Sequence, residues 1–141
     1  MTQDAYEREA NVALARQIME NFTVNMEGWY DHLHDDVVME FPFGPSVGFP
    51  KRVEGKAACR AVFAAVVANI KVRFKDIVIH RMADPKTLIV EYNGYTEPGS
   101  TQYDQTYICV QRYRDGKMTL FREYWDSLLV DRIFGNIGNL G

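Results

Sequence analysis

Phe121, Glu123 and Trp125 alternate along one stretch of chain, and a period of two puts them on a single face of a strand. Leu120, Arg122, Tyr124 and Asp126 take the other face. The first set holds two large aromatics and one carboxylate, so it is the expected inward face, and it carries Glu123 inside with it. A carboxylate flanked by phenylalanine and tryptophan loses hydration, which raises its pKa towards the range useful for proton transfer. Glu123 is therefore the candidate catalytic group. The competing reading is a structural carboxylate paired with Arg112, Arg122 or another base, since ion-pair networks perturb pKa values as well.

The preceding stretch offers Tyr103, Gln105, Tyr107 and Cys109 on one face. Rings with polar tips, together with an amide, suit a mixed pocket that orients a ligand; a cross-strand tyrosine ladder is the alternative. Further back, Glu91, Asn93 and Tyr95 alternate with Val90, Tyr92 and Gly94, and polarity does not separate those faces. The candidate ligand-binding set is Tyr92, Gln105, Tyr107, Phe41, Phe121, Trp125, Tyr30, Met39 and Cys109, with Tyr92, Gln105 or Tyr107 holding or polarising an oxygen.

Other chemistry finds little support. His32 and His34 lie two apart, without the helical spacing or further ligands of a zinc site, so no metal is expected. His80 stands beside Arg81 and reads as a solvated or core-edge histidine. Cys109 has no sequence context that would activate a thiolate and reads as a small buried residue. A Gly-rich phosphate loop, a nucleophile elbow and a dinucleotide fingerprint are all missing from the sequence, and no cofactor is expected.

The elements that must position these groups follow from periodicity. Val12, Ala15, Ile18, Met19 and Phe22 recur at helical spacing, and a short second helix carries Trp29, Tyr30 and Leu33, ended by Asp35 and Asp36. Val37 to Phe41 reads as a strand, and Pro42 to Gly48 as a loop. A helix from about Lys56 to Ala68 presents Cys59, Val62, Phe63, Val66 and Val67. Strands follow: Val72, Phe74, Ile77 and Ile79 in broken alternation, then Thr87 to Thr96, Gln102 to Tyr113 and Met118 to Asp126, joined by turns at Asp84-Pro85, Pro98-Gly99 and Asp115-Gly116. Ser127 is the expected cap of a last helix, Leu128 to Phe134, stopped by Gly135. Helices grouped before an antiparallel meander define an α+β domain. Here the expectation is a cone-shaped, strongly curved antiparallel sheet covered by N-terminal helices.

Composition bounds the rest. At 141 residues the chain is expected to be one domain, 1–141, able to bury about two-thirds of its unfolded surface. It is 47% hydrophobic and 25% charged with a net charge of -3, and it has no basic run, so nucleic acid is not an expected partner. The longest apolar run, Ala61 to Ala68, is too short to span a bilayer, so no membrane association is expected. The two cysteines, Cys59 and Cys109, suggest no disulfide framework, and a reducing cytoplasmic setting fits.

The element order, the Asp35-Asp36-Val37 approach to the first strand, the Phe43-Gly44 loop, VEYNGYT (Val90 to Thr96) and the closing FREYWDSLLVDRIFG (Phe121 to Gly135) resemble the nuclear transport factor 2-like superfamily. Within it they are similar to the SnoaL-like branch and the phenazine-biosynthesis A/B proteins. The resemblance covers nearly the whole chain and implies the fold more strongly than the activity. It implies an acid-base role for Glu123, where limonene epoxide hydrolase and the phenazine A/B proteins carry an acid. The hydrolase's Arg and Asp on the long strand fall on Tyr92 and Gly94, which argues against epoxide hydrolysis. The proton-shuttling acid of ketosteroid isomerase falls on Phe41, within Glu40-Phe41-Pro42-Phe43-Gly44, and its oxyanion-donating acid falls near Cys109. That argues against ketosteroid isomerisation by that route.

Two functions therefore stand. One is a small-molecule enzyme of cyclase, isomerase, dehydratase or condensing type, acting on a largely hydrophobic substrate by cofactor-free acid-base chemistry. The other is a non-catalytic ligand-binding or association domain. The outward apolar residues Leu120, Tyr124 and Ile108, together with the resemblance, imply a homodimer.

Overall fold

A computed structural model describes residues 1–135, so the portion of the 1–141 domain expectation covering 136–141 lies outside the described residues. Helix α1 spans Gln3–Asn21 and is capped by Thr2, whose hydroxyl accepts from the Ala5 N–H at 3.1 Å. Its expected stripe is inward: Ala15, Ile18, Met19 and Phe22 are buried, and Val12 packs beside them. Helix α2 spans Met26–Asp31, capped by Asn25. It buries Trp29 and Tyr30 but stops before Leu33.

Leu33, Asp35 and Asp36 belong instead to strand β1, Leu33–Glu40, which begins four residues before the expected Val37. The cause is non-local. β1 pairs in parallel with the last strand, β6 (Lys117–Trp125), and the Met118 N–H donates to the His32 carbonyl at 2.8 Å. The register shifts between Leu33 and Val38, which leaves Asp35 and Asp36 exposed on an irregular stretch. A three-residue strand, β2 (Arg52–Glu54), lies antiparallel to β1 and was too short and too polar to leave a periodic signal.

Helix α3 spans Lys56–Asn69. Strands β3 (Val72–Arg81), β4 (Thr87–Thr96) and β5 (Gln105–Arg114) follow, then β6 and helix α4 (Ser127–Phe134). The cap of α4 is Asp126, not Ser127: its carboxylate accepts from the Leu128 and Leu129 N–H groups at 3.0 and 3.2 Å. The six strands form one sheet in the order β2-β1-β6-β5-β4-β3, antiparallel except for β1 with β6. The local pattern had shown only the antiparallel meander.

The broken alternation on β3 has a physical origin. Asp76 takes a left-handed φ of 57°, and the pairing with β4 shifts between Lys75 and Val78. This bulge resets the pleat, so Phe74 before it and Ile77 after it both pack on the core. Asn93 and Tyr95 hold the Asp76 carboxylate at 3.0 and 2.5 Å, fixing the bend that curls the sheet. The helices lie in the concavity. On α3 only Cys59 and Phe63 are buried, while Val62, Val66 and Val67 are half-buried. The helix therefore stands over the sheet without sealing against it.

Candidate functional site

Between α3 and the sheet lies a cavity of about 550 Å³, counted out through its open mouth into solvent. Its walls are phenylalanines and aliphatic residues from every layer: Phe22 from the end of α1, Phe41 and Phe49 from the loop after β1, Phe63 and Val66 from α3, and Val130 from α4. The polar groups come from the sheet and its approach: Tyr103, Tyr107, Glu123 and the Trp125 indole.

Strand register explains how Glu123 reaches this position. Across the sheet Val90, Cys109 and Glu123 form one row, and Tyr92, Tyr107 and Trp125 the next. Cys109, directly opposite Glu123, is small and fully buried, which leaves room for the Tyr92 side chain to reach diagonally from β4 to β6 and donate to Glu123 Oε2. The Tyr92 ring is held by stacking on Tyr107, with centroids 5.0 Å apart, and by Phe74 at 4.7 Å. Gly94 makes this stack possible, because a Cβ there would lie 3.0 Å from the Tyr107 ring.

Glu123 is 6% exposed, and among the described residues no cation pairs with it. The two arginines that might have neutralised it are engaged elsewhere. Arg122 binds Glu40 at 3.1 Å and Arg112 binds Asp84 at 3.2 Å. Burial pushes the Glu123 carboxyl up to about 8, and the Tyr92 hydrogen bond only partly opposes this. The group is therefore mostly protonated at neutral pH, yet within reach of its anion. Such a carboxyl can give a proton to a substrate oxygen or, in its ionised fraction, take one from carbon.

The expected ligand-binding residues separate into groups. Phe41, Tyr107 and Trp125 line the cavity with Glu123, and Tyr92 supports Glu123. Gln105, Phe121, Tyr30, Met39 and Cys109 are buried but do not line the cavity. Phe121 sits in the core against Trp29 and Phe63, at 5.9 and 5.6 Å between ring centroids. Tyr30 packs on Trp29 under the Arg60 guanidinium, 4.4 Å from its ring. Met39 lies opposite Phe121 in the β1–β6 pairing. Gln105 ties β5 to the start of α4.

Sequence reasoning missed the helix-side wall, Phe22, Val66 and Val130, because helical periodicity marks an apolar face without saying whether a neighbour fills it. It put Tyr103 on the pocket-facing row with Tyr107 but did not carry it into the candidate binding set. Among the described residues no cluster of three His, Cys, Asp or Glu side chains could hold a metal. His80 pairs with Glu91 at 2.6 Å on the exposed face of the sheet.

Residues 15–121 match the SnoaL-like domain family, and the chain belongs to it. A PhzA/B-like protein of Pseudomonas aeruginosa is 35% identical over 103 residues, 72% of each chain. A Bacillus subtilis protein provisionally described as an isomerase superposes with a TM-score of 0.79 at 32% identity, covering 92% of this chain and 96% of its own. A Xanthomonas campestris protein provisionally described as a polyketide cyclase shares the fold, with a TM-score of 0.72 at 21% identity over 90% of this chain and 96% of its own. The fold is that of nuclear transport factor 2-like proteins. Among the described residues no helix is long and apolar enough to cross a membrane.

Proposed function

We propose that this SnoaL-like protein is an enzyme that carries out acid-base chemistry on a largely hydrophobic small molecule, with Glu123 as the proton-transferring group. The observation that carries the reading is a carboxyl buried at the wall of an apolar cavity, hydrogen-bonded by Tyr92 and unpaired with any cation among the described residues. A structural ion pair would look different: it would hold a base, and its carboxyl would be pushed down instead of up. Cyclisation, isomerisation, dehydration and condensation all need a proton moved at carbon or oxygen, and Glu123 supplies that step without a further group. Similar proteins provisionally described as an isomerase and a polyketide cyclase are compatible with this reaction class.

The test does not require the natural substrate. Apolar ketones incubated in deuterated water should exchange their α-hydrogens faster with the protein, followed by NMR. Glu123→Gln keeps the shape but cannot cycle the proton, so the enhancement should fall about 10²–10⁴-fold. Exchange that is unaffected by Glu123→Gln would reject the role.

We also propose that the chain works as a homodimer, paired through the outer face of β5 and β6. Ile108 is 43% exposed there, opposite Tyr124 in the strand pairing. Sedimentation at micromolar concentration should give twice the 16.3 kDa chain mass, and a purely monomeric species would reject the pairing.

A further inference from the structure

Gln105 can be oriented in only one way. Its Oε1 accepts the N–H groups of Thr106 and Asp126, both at 3.0 Å, and an N–H can only donate. Its Nε2 therefore points to two acceptors, the Asp126 carbonyl at 3.1 Å and the Tyr103 hydroxyl at 3.0 Å. Every donor and acceptor position of the amide is used, and Tyr103 Oη is fixed as an acceptor from Gln105. The hydroxyl hydrogen of Tyr103 must then be given to something else.

Among the described residues no acceptor is hydrogen-bonded to that hydrogen. The Tyr103 side chain makes the bond it accepts from Gln105 and the ring contact with Phe134. Burial raises both phenols, Tyr103 and Tyr107, Tyr103 to about 12, so each keeps its proton at neutral pH. Tyr103 is 4% exposed, its ring is braced edge-on by Phe134 at 5.0 Å, and it lines the same cavity as Glu123. A buried donor without an acceptor is costly, and a ligand oxygen in the cavity would supply the missing partner.

The rest of the lining narrows the ligand. Among the described residues it contains no lysine, arginine or histidine, and its one carboxylate is Glu123. A phosphate or carboxylate ligand would meet that acid without a compensating cation. A polyol would leave hydroxyls unpaired against phenylalanine. We infer that Tyr103, set by Gln105, is the hydrogen-bond donor that holds the acceptor oxygen of the substrate, and that the substrate class is a neutral, apolar carbonyl compound. This rests on the small-molecule acid-base reading above and adds a division of labour: Tyr103 holds the oxygen while Glu123 moves the proton.

The test uses 1-tetralone labelled with ¹³C at the carbonyl, and tetralin as the same body without the oxygen. Bound to the wild-type protein, the carbonyl stretch should lie below its position in hexane, because a hydrogen bond weakens C=O. In Tyr103→Phe the band should return to the hexane position and tetralone affinity should fall about tenfold, the effect of roughly one hydrogen bond. Tetralin affinity should stay within about twofold, which also reports that the variant is folded. Glu123→Gln should keep the shifted band.

Three results would overturn the inference: a band indifferent to Tyr103→Phe, a band that moves with Tyr107→Phe instead, or a wild-type protein that binds neither probe. The two readings fail separately. Loss of the Glu123 exchange effect removes the acid-base role, while the band position alone decides the role of Tyr103.

Discussion

Glu40 and Glu123 are two glutamates on neighbouring strands whose surroundings differ in nearly every respect. Glu40 faces outward, with Arg52 at 3.0 Å on one carboxylate oxygen and Arg122 at 3.1 Å on the other. Glu123, the next residue after Arg122, faces inward to Tyr92 and the cavity, and among the described residues no cation pairs with it. One step along a pleated strand turns a side chain from water and arginines to phenylalanine and tryptophan. The outward acid is paired with two arginines. The inward acid is held near neutrality by the absence of such partners, and that makes it available for proton transfer. Chemical role in this molecule follows from the face of the sheet more than from residue type.

The strongest way to break the contrast is to let water into the inner face. Phe63 lines the cavity and touches the rings of Phe22, Trp29, Phe41 and Phe121. Phe63→Ala should cost about 3–5 kcal/mol in chemical denaturation. It should also bring the Glu123 carboxyl down from about 8 towards the ordinary 4.5, read by ¹³C NMR titration. A loss below about 1 kcal/mol, or an unmoved titration, would mean that burial beneath α3 is not what holds Glu123 neutral.

A smaller effect lies in the pH dependence of stability. The folded Glu123 keeps its proton up to about 8, whereas the unfolded chain releases it near 4.5. Between those values the folded state binds more protons, so this group's contribution is complete below pH 4.5 and is lost as pH rises through 8. Glu123→Gln should remove that slope. Relative to wild type, the variant should gain on the order of a few kcal/mol in going from pH 4.5 to pH 8.5. Parallel wild-type and variant curves, measured by denaturant unfolding, would contradict a neutral buried Glu123.

The smallest expected effect is on the outer face. Glu40→Gln should cost no more than about 1 kcal/mol, and less at high salt, because Arg52 and Arg122 are partly solvated and can turn to water. A cost comparable to that of Phe63→Ala would show the outer ion cluster to be a structural centre in its own right, and the contrast between the faces would narrow.

The inward face of β6 was legible in the residues alone, since Phe121 and Trp125 bracket Glu123 with a period of two. The wall of the cavity was not. Phe22 and Phe63 were visible as core residues, but whether a helix face meets another side chain or an open space depends on how far α3 stands from the sheet. The parallel pairing of β1 with β6 was equally hidden, because the hydrogen bonds join segments about eighty residues apart along the chain. The bulge at Asp76 left a trace as broken alternation, but its meaning required the partners Asn93 and Tyr95.

By itself, the sequence determined the α+β order, the three longer helices, the four long strands and the inward carboxylate. Each of these depends on periodicity or turn chemistry within a few residues. Only the tertiary structure decided that Tyr92 and not an arginine meets Glu123, that Cys109 is the gap allowing this, and that Gln105 holds the Tyr103 hydroxyl instead of a ligand. Those outcomes depend on register across three strands and on which hydrogen-bonding positions remain unused after the chain has closed on itself.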